Sequence, residues 1–186
     1  MLFPMTATVV TNDDELKQIV ELSEKNLRTK ISKEQEQQQG FVTWNYSFEL
    51  LKQMNTQHPH VIVKNENIVI GYGLVALREA AKFHADLKAM IDQLETITYK
   101  YIKLEAYTYY VMGQVCIDED YRGKGVFQIL YHQHKKLFEK NFDFVVTEIS
   151  TSNKRSLHAH EKIGFKTIYS YHDMLDEWNV VLWDWC

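Results

Sequence analysis

Val115-Cys116-Ile117-Asp118-Glu119-Asp120-Tyr121-Arg122-Gly123-Lys124-Gly125-Val126-Phe127-Gln128-Ile129-Leu130 reads as an apolar strand, a short turn holding two glycines, and the start of a helix. Glycine lets the backbone turn where a side chain would clash, and the first amides of a helix lack partners within it. Amides that converge in this way bind the oxygens of phosphate groups. Arg122 and Lys124 add positive charge that a plain connecting turn does not need. The common nucleotide loops are excluded by spacing, because no Gly-Lys-Ser/Thr follows four residues after a glycine and the third glycine of a dinucleotide loop is missing.

Downstream, Phe144 to Ser150 reads as a strand and Asn153 to Ile163 as a helix, ending in His160-Glu161-Lys162-Ile163-Gly164-Phe165. With its Arg-x-x-Gly spacing, Asp120 to Val126 resembles the pyrophosphate-binding motif of the GNAT superfamily of acyl-CoA-dependent N-acyltransferases. Arg122 and Gly125 match that pattern, while Phe127 stands where a small residue is usual. The helix from Asn153 is similar to the family helix that begins at Asn and ends in Tyr-Glu-Lys-Leu-Gly-Phe. The resemblance is specific from about Val111 to Tyr171 and loose before it.

The resemblance implies a mixed, mostly antiparallel sheet flanked by helices, whose splayed strands bind acetyl-CoA. It implies a pyrophosphate site over Arg122, Gly123, Lys124, Gly125, Val126 and Phe127. The backbone of Val115, Cys116 and Ile117 would bond the pantetheine arm, with Asn153 beside it. Glu148, five residues before Asn153, takes the place of a general base in the ribosomal-protein N-acetyltransferase branch, and the competing reading is an ordinary strand glutamate. His160 takes the place of the tyrosine that protonates the coenzyme A sulfur; an imidazole could do the same, or it could simply pack beside Leu157 and Ile163. Glu105 and Asp118 are weaker candidates for the base. Asn153 is also a good helix N-cap, and the two roles are compatible. The implied reaction moves an acetyl group from acetyl-CoA to a primary amine by direct attack. The alternatives are a non-catalytic acyl-CoA-binding or regulatory module and a nucleotide-binding phosphate loop.

Working outward, Thr6 to Val10 reads as a strand that feeds an amphipathic helix from Asp13, and Ile31 to Gly40 as a polar, exposed stretch. A helix over Ser47 to Asn55 and a hairpin from His60 to Leu77, turning at Asn65 to Asn67, come next. Glu79 to Leu94 reads as one helix, inserted where the family often has a short turn and so placed to border the acceptor site. A long strand from Tyr101 to Ile117, a helix from Gly125 to Lys140, and closing strands at Phe165 to Tyr171 and Val180 to Trp185 complete the chain. Strands and helices that alternate in this way give an α/β or α+β class with a mixed sheet.

The 186 residues suit one domain, and 45% hydrophobic residues suffice for a core without disulfides. A net charge of -4, from 21 basic and 25 acidic residues, gives no drive toward nucleic acid or an acidic membrane. Cys116 and Cys186 are too few and too far apart for a disulfide framework or a cysteine zinc site, and Cys116 has no neighbouring base to make it an acyl carrier. His132 and His134, two apart on a helix, point in different directions, so we expect no metal. The start, with Pro4 and no basic segment, has no secretory pattern, and we expect a cytoplasmic protein. The aromatic residues from Tyr99 to Tyr110 and the tryptophans Trp178, Trp183 and Trp185 would fill the core or a sheet edge, or in part line an acceptor pocket or a homodimer contact.

Overall fold

A computed structural model describes residues 5–185, at 37 and 38 by backbone alone. The opening segment with Pro4, the exposure expected of Gln37 and Gln38, and Cys186 lie outside the described residues. The elements are β1 (Thr6–Val9), α1 (Asp13–Lys25), α2 (Lys33–Gln39), α3 (Phe48–Gln57), β2 (Val61–Asn65), β3 (Ile68–Ala76), α4 (Ala85–Thr96), β4 (Thr98–Tyr99) and β5 (Ile102–Lys103). Then follow β6 (Tyr109–Ile117), α5 (Val126–Phe138), β7 (Phe144–Ser150), α6 (Lys154–Ile163), β8 (Lys166–His172) and β9 (Glu177–Asp184).

Seven strands form one sheet in the order β1-β2-β3-β6-β7-β9-β8, and every neighbouring pair is antiparallel except β6 and β7. The mixed, mostly antiparallel class expected from the sequence is therefore observed. Connection through α5 makes β6 and β7 parallel, since a crossover helix returns the chain to the same end of the sheet. Apolar alternation on the strands buries two clusters, one with Leu16, Leu51 and Leu87 from α1, α3 and α4, the other with Leu130 and Tyr131 from α5.

The functional geometry follows from an incomplete pairing. Strands β6 and β7 pair only over Tyr109–Val111 and Phe144–Val146, then part. The chain from Phe41 to Tyr46 is wedged into the gap: Gln114 Nε2 donates to Trp44 O at 2.7 Å, Tyr46 Oη to Gly113 O at 3.2 Å, and Asn153 Nδ2 to Phe41 O at 3.0 Å. Gln114 Oε1 is fixed in turn by the hydroxyls of Ser23 at 3.0 Å and Tyr72 at 2.5 Å. Arg28 clamps the same wedge, pairing with Glu36 at 2.7 Å and Asp176 at 2.6 Å while lying over the Phe41 ring.

Several sequence expectations need correction. The polar stretch after Ile31 is in part a helix, α2, which starts with a reciprocal cap in which Ser32 and Gln35 each bond the other's backbone. That Ser-x-x-Gln pattern is the signal that could have revealed it. The helix expected over Glu79–Leu94 breaks at Phe83 and His84: a 3-10 turn comes first, and α4 starts with the His84 ring accepting from Asp86 N. The long strand expected from Tyr101 to Ile117 is interrupted by a 3-10 turn at Leu104–Ala106, which leaves short β5 before it and β6 after it; Lys100 and Tyr101, at positive φ, form the turn that pairs β5 with β4 upstream. The last strand begins at Glu177 rather than Val180.

Candidate active site

Two clefts open on either side of the Phe41–Tyr46 wedge, of about 590 Å³ and about 470 Å³. Phe41, Val42, Val115, Asn153 and Ser156 line both, so the clefts meet at the splay.

The first cleft is built on the glycine turn. Gly123 and Gly125 have φ of 76° and 83°, and Gly125 sits directly before α5. The amides of Gly123, Gly125, Val126 and Phe127 donate to no other group among the described residues. Those free donors suit the oxygens of a phosphate group. Phe127 does not obstruct the turn: its ring packs on Tyr131 at 4.8 Å and His160 at 5.0 Å. Arg122, Arg155 and Lys162 line this cleft and no Asp or Glu does, among the described residues. The Arg122 guanidinium does not reach freely toward a ligand. It donates to Ile117 O at 3.0 Å, to Gln39 Oε1 at 2.6 Å and to Asn26 Oδ1, tying the turn to β6, α2 and the end of α1. All three acceptors are neutral, so they bind the group without cancelling its charge. Lys124 is exposed and lies over the Tyr121 ring.

Strand alternation decides which backbone groups face the gap. Asp118 N donates to Ile70 O on β3, which turns the main chain of Asp118, and two residues back of Cys116, toward β3. Val115 therefore presents its N–H and C=O to the gap and Ile117 its N–H, the Ile117 carbonyl being held by Arg122. This corrects the expectation for Cys116, whose backbone belongs to the ladder with Tyr72. Its thiol is buried, and burial pushes it up to about 12, which leaves it inert at neutral pH.

Asn153 caps α6, accepting from Ser156 N at 3.2 Å, while its amide holds the wedge. Gly40, with φ of 73°, passes so close that a Cβ there would lie 2.9 Å from Asn153 Oδ1.

Glu148 points into the second cleft. Its Oε2 accepts from Tyr171 Oη at 2.9 Å, and its Oε1 is buried with no hydrogen-bond partner. Burial raises its pKa to about 7, with the Tyr171 bond opposing and Asp173 adding to the rise. A carboxyl that titrates near neutrality, with one oxygen unpartnered in a cleft, can exchange a proton with a ligand. The walls are Trp44, Tyr46, Met90, Tyr171 and Trp178, and the face of α4 carrying Asp86, Ala89, Met90 and Gln93 closes one side. The inserted helix thus does border this cleft, as its place in the sequence suggested.

His160 touches the second cleft but is 1% exposed. Its Nδ1–H donates to Ser156 O at 2.8 Å, and its Nε2 accepts from Tyr131 Oη at 2.6 Å. Burial lowers its pKa to about 4, against the raising effect of the Ser156 bond. A neutral ring whose remaining proton is held by a backbone carbonyl is a poor acid near pH 7, which favours the packed histidine over the acid role. Glu105 and Asp118 line neither cleft: Glu105 is exposed, and Asp118 caps a 3-10 turn through Asp120 N. His132 is exposed while His134 is buried against Tyr110, so those two rings do diverge. Of the aromatic residues, Tyr109 and Tyr110 fill the core, Tyr101 is exposed, and Trp178 faces the second cleft.

A family model described as "Acetyltransferase (GNAT) family" matches residues 28–165. The chain belongs to this family. The match extends well upstream of the region in which the motifs are specific and takes in the wedge and α2. No curated protein matches the chain by sequence. Among solved structures, Arabidopsis thaliana NAA60 in complex with acetyl-CoA superposes with a TM-score of 0.66 at 11% identity, covering 97% of this chain and 99% of that one. Ard1 from Thermoplasma volcanium gives 0.65 at 14% identity, covering 97% of each chain. A chain of the NatC complex bound to Gag peptide and CoA gives 0.64 at 14% identity, covering 98% and 99%. At these identities the likeness is one of fold.

Sequence reading missed Gln114, Tyr171 and the wedge. Gln114 left a signal, a lone amide in an otherwise apolar strand, since such a side chain is buried only when its bonds are satisfied. Tyr171 and the wedge residues left none, because the β8–β9 register and the splay bring them to Glu148.

Proposed function

We propose that the protein is an N-acetyltransferase that moves an acetyl group from acetyl-CoA to a primary amine. The observation that carries this reading is the meeting of the two clefts at the splay, the first with free backbone donors and cations, the second with Glu148. The acetyl-CoA and CoA bound in structures of the same fold support the choice of donor.

In this reading the amides of Gly123 to Phe127 hold the pyrophosphate, and the backbone of Val115 and Ile117 aligns the pantetheine arm along the open edge of β6. The thioester is brought to the junction beside Asn153 and Ser156. Glu148 takes a proton from the acceptor ammonium, and Tyr171 holds the carboxylate in place. The freed nitrogen pair attacks the thioester carbonyl and forms the C–N bond, the C–S bond breaks as the tetrahedral intermediate collapses, and the sulfur leaves as a thiolate. The second proton on the nitrogen passes to that thiolate or to water and leaves a neutral amide. A thiol ionises near pH 8.5, by the cysteine reference, so the sulfur can leave without a resident acid such as His160.

The test is a thiol-release assay with acetyl-CoA across a panel of primary amines, with mass detection of the acetylated product. Amine-dependent release with a product heavier by one acetyl group is the expected result. Tight acetyl-CoA binding with no amide formed from any amine would leave a binding module instead.

A further inference from the structure

The second cleft holds three carboxylates, Asp86, Glu148 and Asp173, and no Lys or Arg among the described residues. Glu148 is buried at its free oxygen, whereas the other two stand nearer the rim. Asp86 lies in the first turn of α4 with its side chain 63% exposed, and the nearest cation-forming group is the ring of His84 at 3.7 Å. Asp173 lies in the β8–β9 loop; its Oδ1 accepts from the amides of Leu175 at 2.7 Å and Asp176 at 2.9 Å, which fixes the carboxylate on the opposite wall. Between these acids the surface is apolar and aromatic: Trp44 and Tyr46 meet edge to face at 5.1 Å, and Trp178 and Met90 face them from β9 and α4. Ammonium groups are drawn to acids and to aromatic faces alike. A carboxylate one or two bonds from the reacting amine would meet like charge on both walls with nothing to pair it.

Resting on the N-acetyl-transfer reading, we propose that the acceptor is a primary amine with an apolar or aromatic body and no carboxylate near the amine, selected by Asp86 on the inserted helix and by Asp173 opposite. Free α-amino acids are excluded by charge rather than by size, since about 470 Å³ holds a phenylalanine-sized body. Two sources share this chemistry, a free arylalkylamine and the N-terminus of a peptide with an apolar first residue.

The experiment compares kcat/KM for 2-phenylethylamine, phenylalaninamide, phenylalanine and a neutral pentapeptide amide beginning with Phe, at saturating acetyl-CoA. Phenylalaninamide replaces the carboxylate of phenylalanine by a neutral amide, and with rates corrected to the free-amine fraction of each compound the first should be favoured by about 100-fold, the scale on which like-charge contacts discriminate. Asp86→Lys should narrow that gap at least tenfold by improving phenylalanine. Gln93→Lys, two turns along the same face of α4, makes the same change without touching the start of the helix. A wild-type gap below tenfold, or a gap that neither lysine variant narrows, overturns the proposal. The ratio of the pentapeptide to 2-phenylethylamine tells the two sources apart. Thermal-shift titration of the CoA-loaded protein with phenylalaninamide and phenylalanine reads the preference without turnover. Preferential binding without acetylation would defeat the transfer reading and keep the acceptor class, and equal acetylation of both compounds would do the reverse.

Discussion

The two clefts are built from different materials. The first cleft is made of backbone: two left-handed glycines, unpaired amides at the start of α5 and the splayed edge of β6, with cations around it and no acid among the described residues. The second cleft is made of side chains from the wedge, α4, β7, the β8–β9 loop and β9, with acids and no Lys or Arg among the described residues. Each cleft thus carries the charge opposite to its proposed ligand, a polyanion on one side and an ammonium on the other, and the wedge keeps the two fields apart. A backbone site needs particular φ angles at consecutive positions and so leaves a local motif. A side-chain site can be assembled from anywhere the topology reaches, and leaves almost none.

The sharpest way to break this contrast is at Gly125. No atom lies within 4 Å of a Cβ built there, so a side chain would not clash, but φ of 83° is strained for any L residue. Gly125→Glu adds that strain and a negative charge where phosphate oxygens are proposed to sit. Acetyl-CoA affinity should fall by at least about 100-fold, since losing charge-assisted donors and gaining like charge are each worth one to several kcal/mol. Amine binding to the second cleft should be little changed. Calorimetric titration with acetyl-CoA and coenzyme A checks it, and an unchanged affinity would place the phosphate site elsewhere.

Glu148→Gln is the matching test of the acceptor side. It keeps the bond from Tyr171 and removes the basicity, so turnover should fall by about 100-fold, the scale of a lost general base. Wild-type turnover should rise with pH through about 7 as Glu148 ionises, and this limb should vanish in the variant. Stability should move the other way. A carboxyl whose folded pKa is raised binds more protons in the folded than in the unfolded state, so wild type loses stability as pH rises from about 4.5 to about 7. The glutamine variant should escape that loss and melt higher than wild type at pH 8 while being far less active. A variant that is both active and less stable would show Glu148 to be an ordinary strand residue.

The sequence made the donor half legible and the acceptor half only in outline, for the same physical reason. Arg122, Gly123 and Gly125 lie within four consecutive positions, and what they do is local, although the use of the Arg122 side chain as a staple to Asn26 and Gln39 depended on α1 and α2 and could not be read. Glu148 was found from its spacing to Asn153. Its raised pKa was not, because that comes from burial in the folded cleft, with Asp173 adding to it against the bond from Tyr171. No glycine at Lys100 or Tyr101 marks the reversal where the expected long strand was to begin, so the β4–β5 hairpin was hidden by its own residues. Cys116 was assigned correctly to the strand but to the wrong edge, a distinction that only the Asp118–Ile70 bond resolves.

The smallest effect on chemistry is expected at His160, which touches the second cleft but is almost wholly buried. His160→Phe keeps a ring among Phe127, Tyr131 and Phe165 but removes the acceptor for the Tyr131 hydroxyl. A buried hydroxyl left unpaired costs about 1–3 kcal/mol. For a chain of this length that lowers the melting temperature by roughly 2–4 °C per kcal/mol. The pH dependence adds a second signature. A histidine whose folded pKa is lowered to about 4 is protonated more readily in the unfolded state, so its contribution is intact above about 6.5 and is lost as pH falls toward 4. His60 and His134, also buried and lowered to about 4 and about 3, keep part of that acid sensitivity, so the phenylalanine variant should unfold less steeply with acid without becoming insensitive to it. Turnover per folded molecule should stay within about threefold of wild type, because the ring is a poor acid near pH 7, and a true general acid would cost about 100-fold or more. Melting curves from pH 4 to 8 and initial rates, taken on the same preparations, check both halves. A 100-fold loss of turnover at an unchanged melting temperature would return His160 to the reaction.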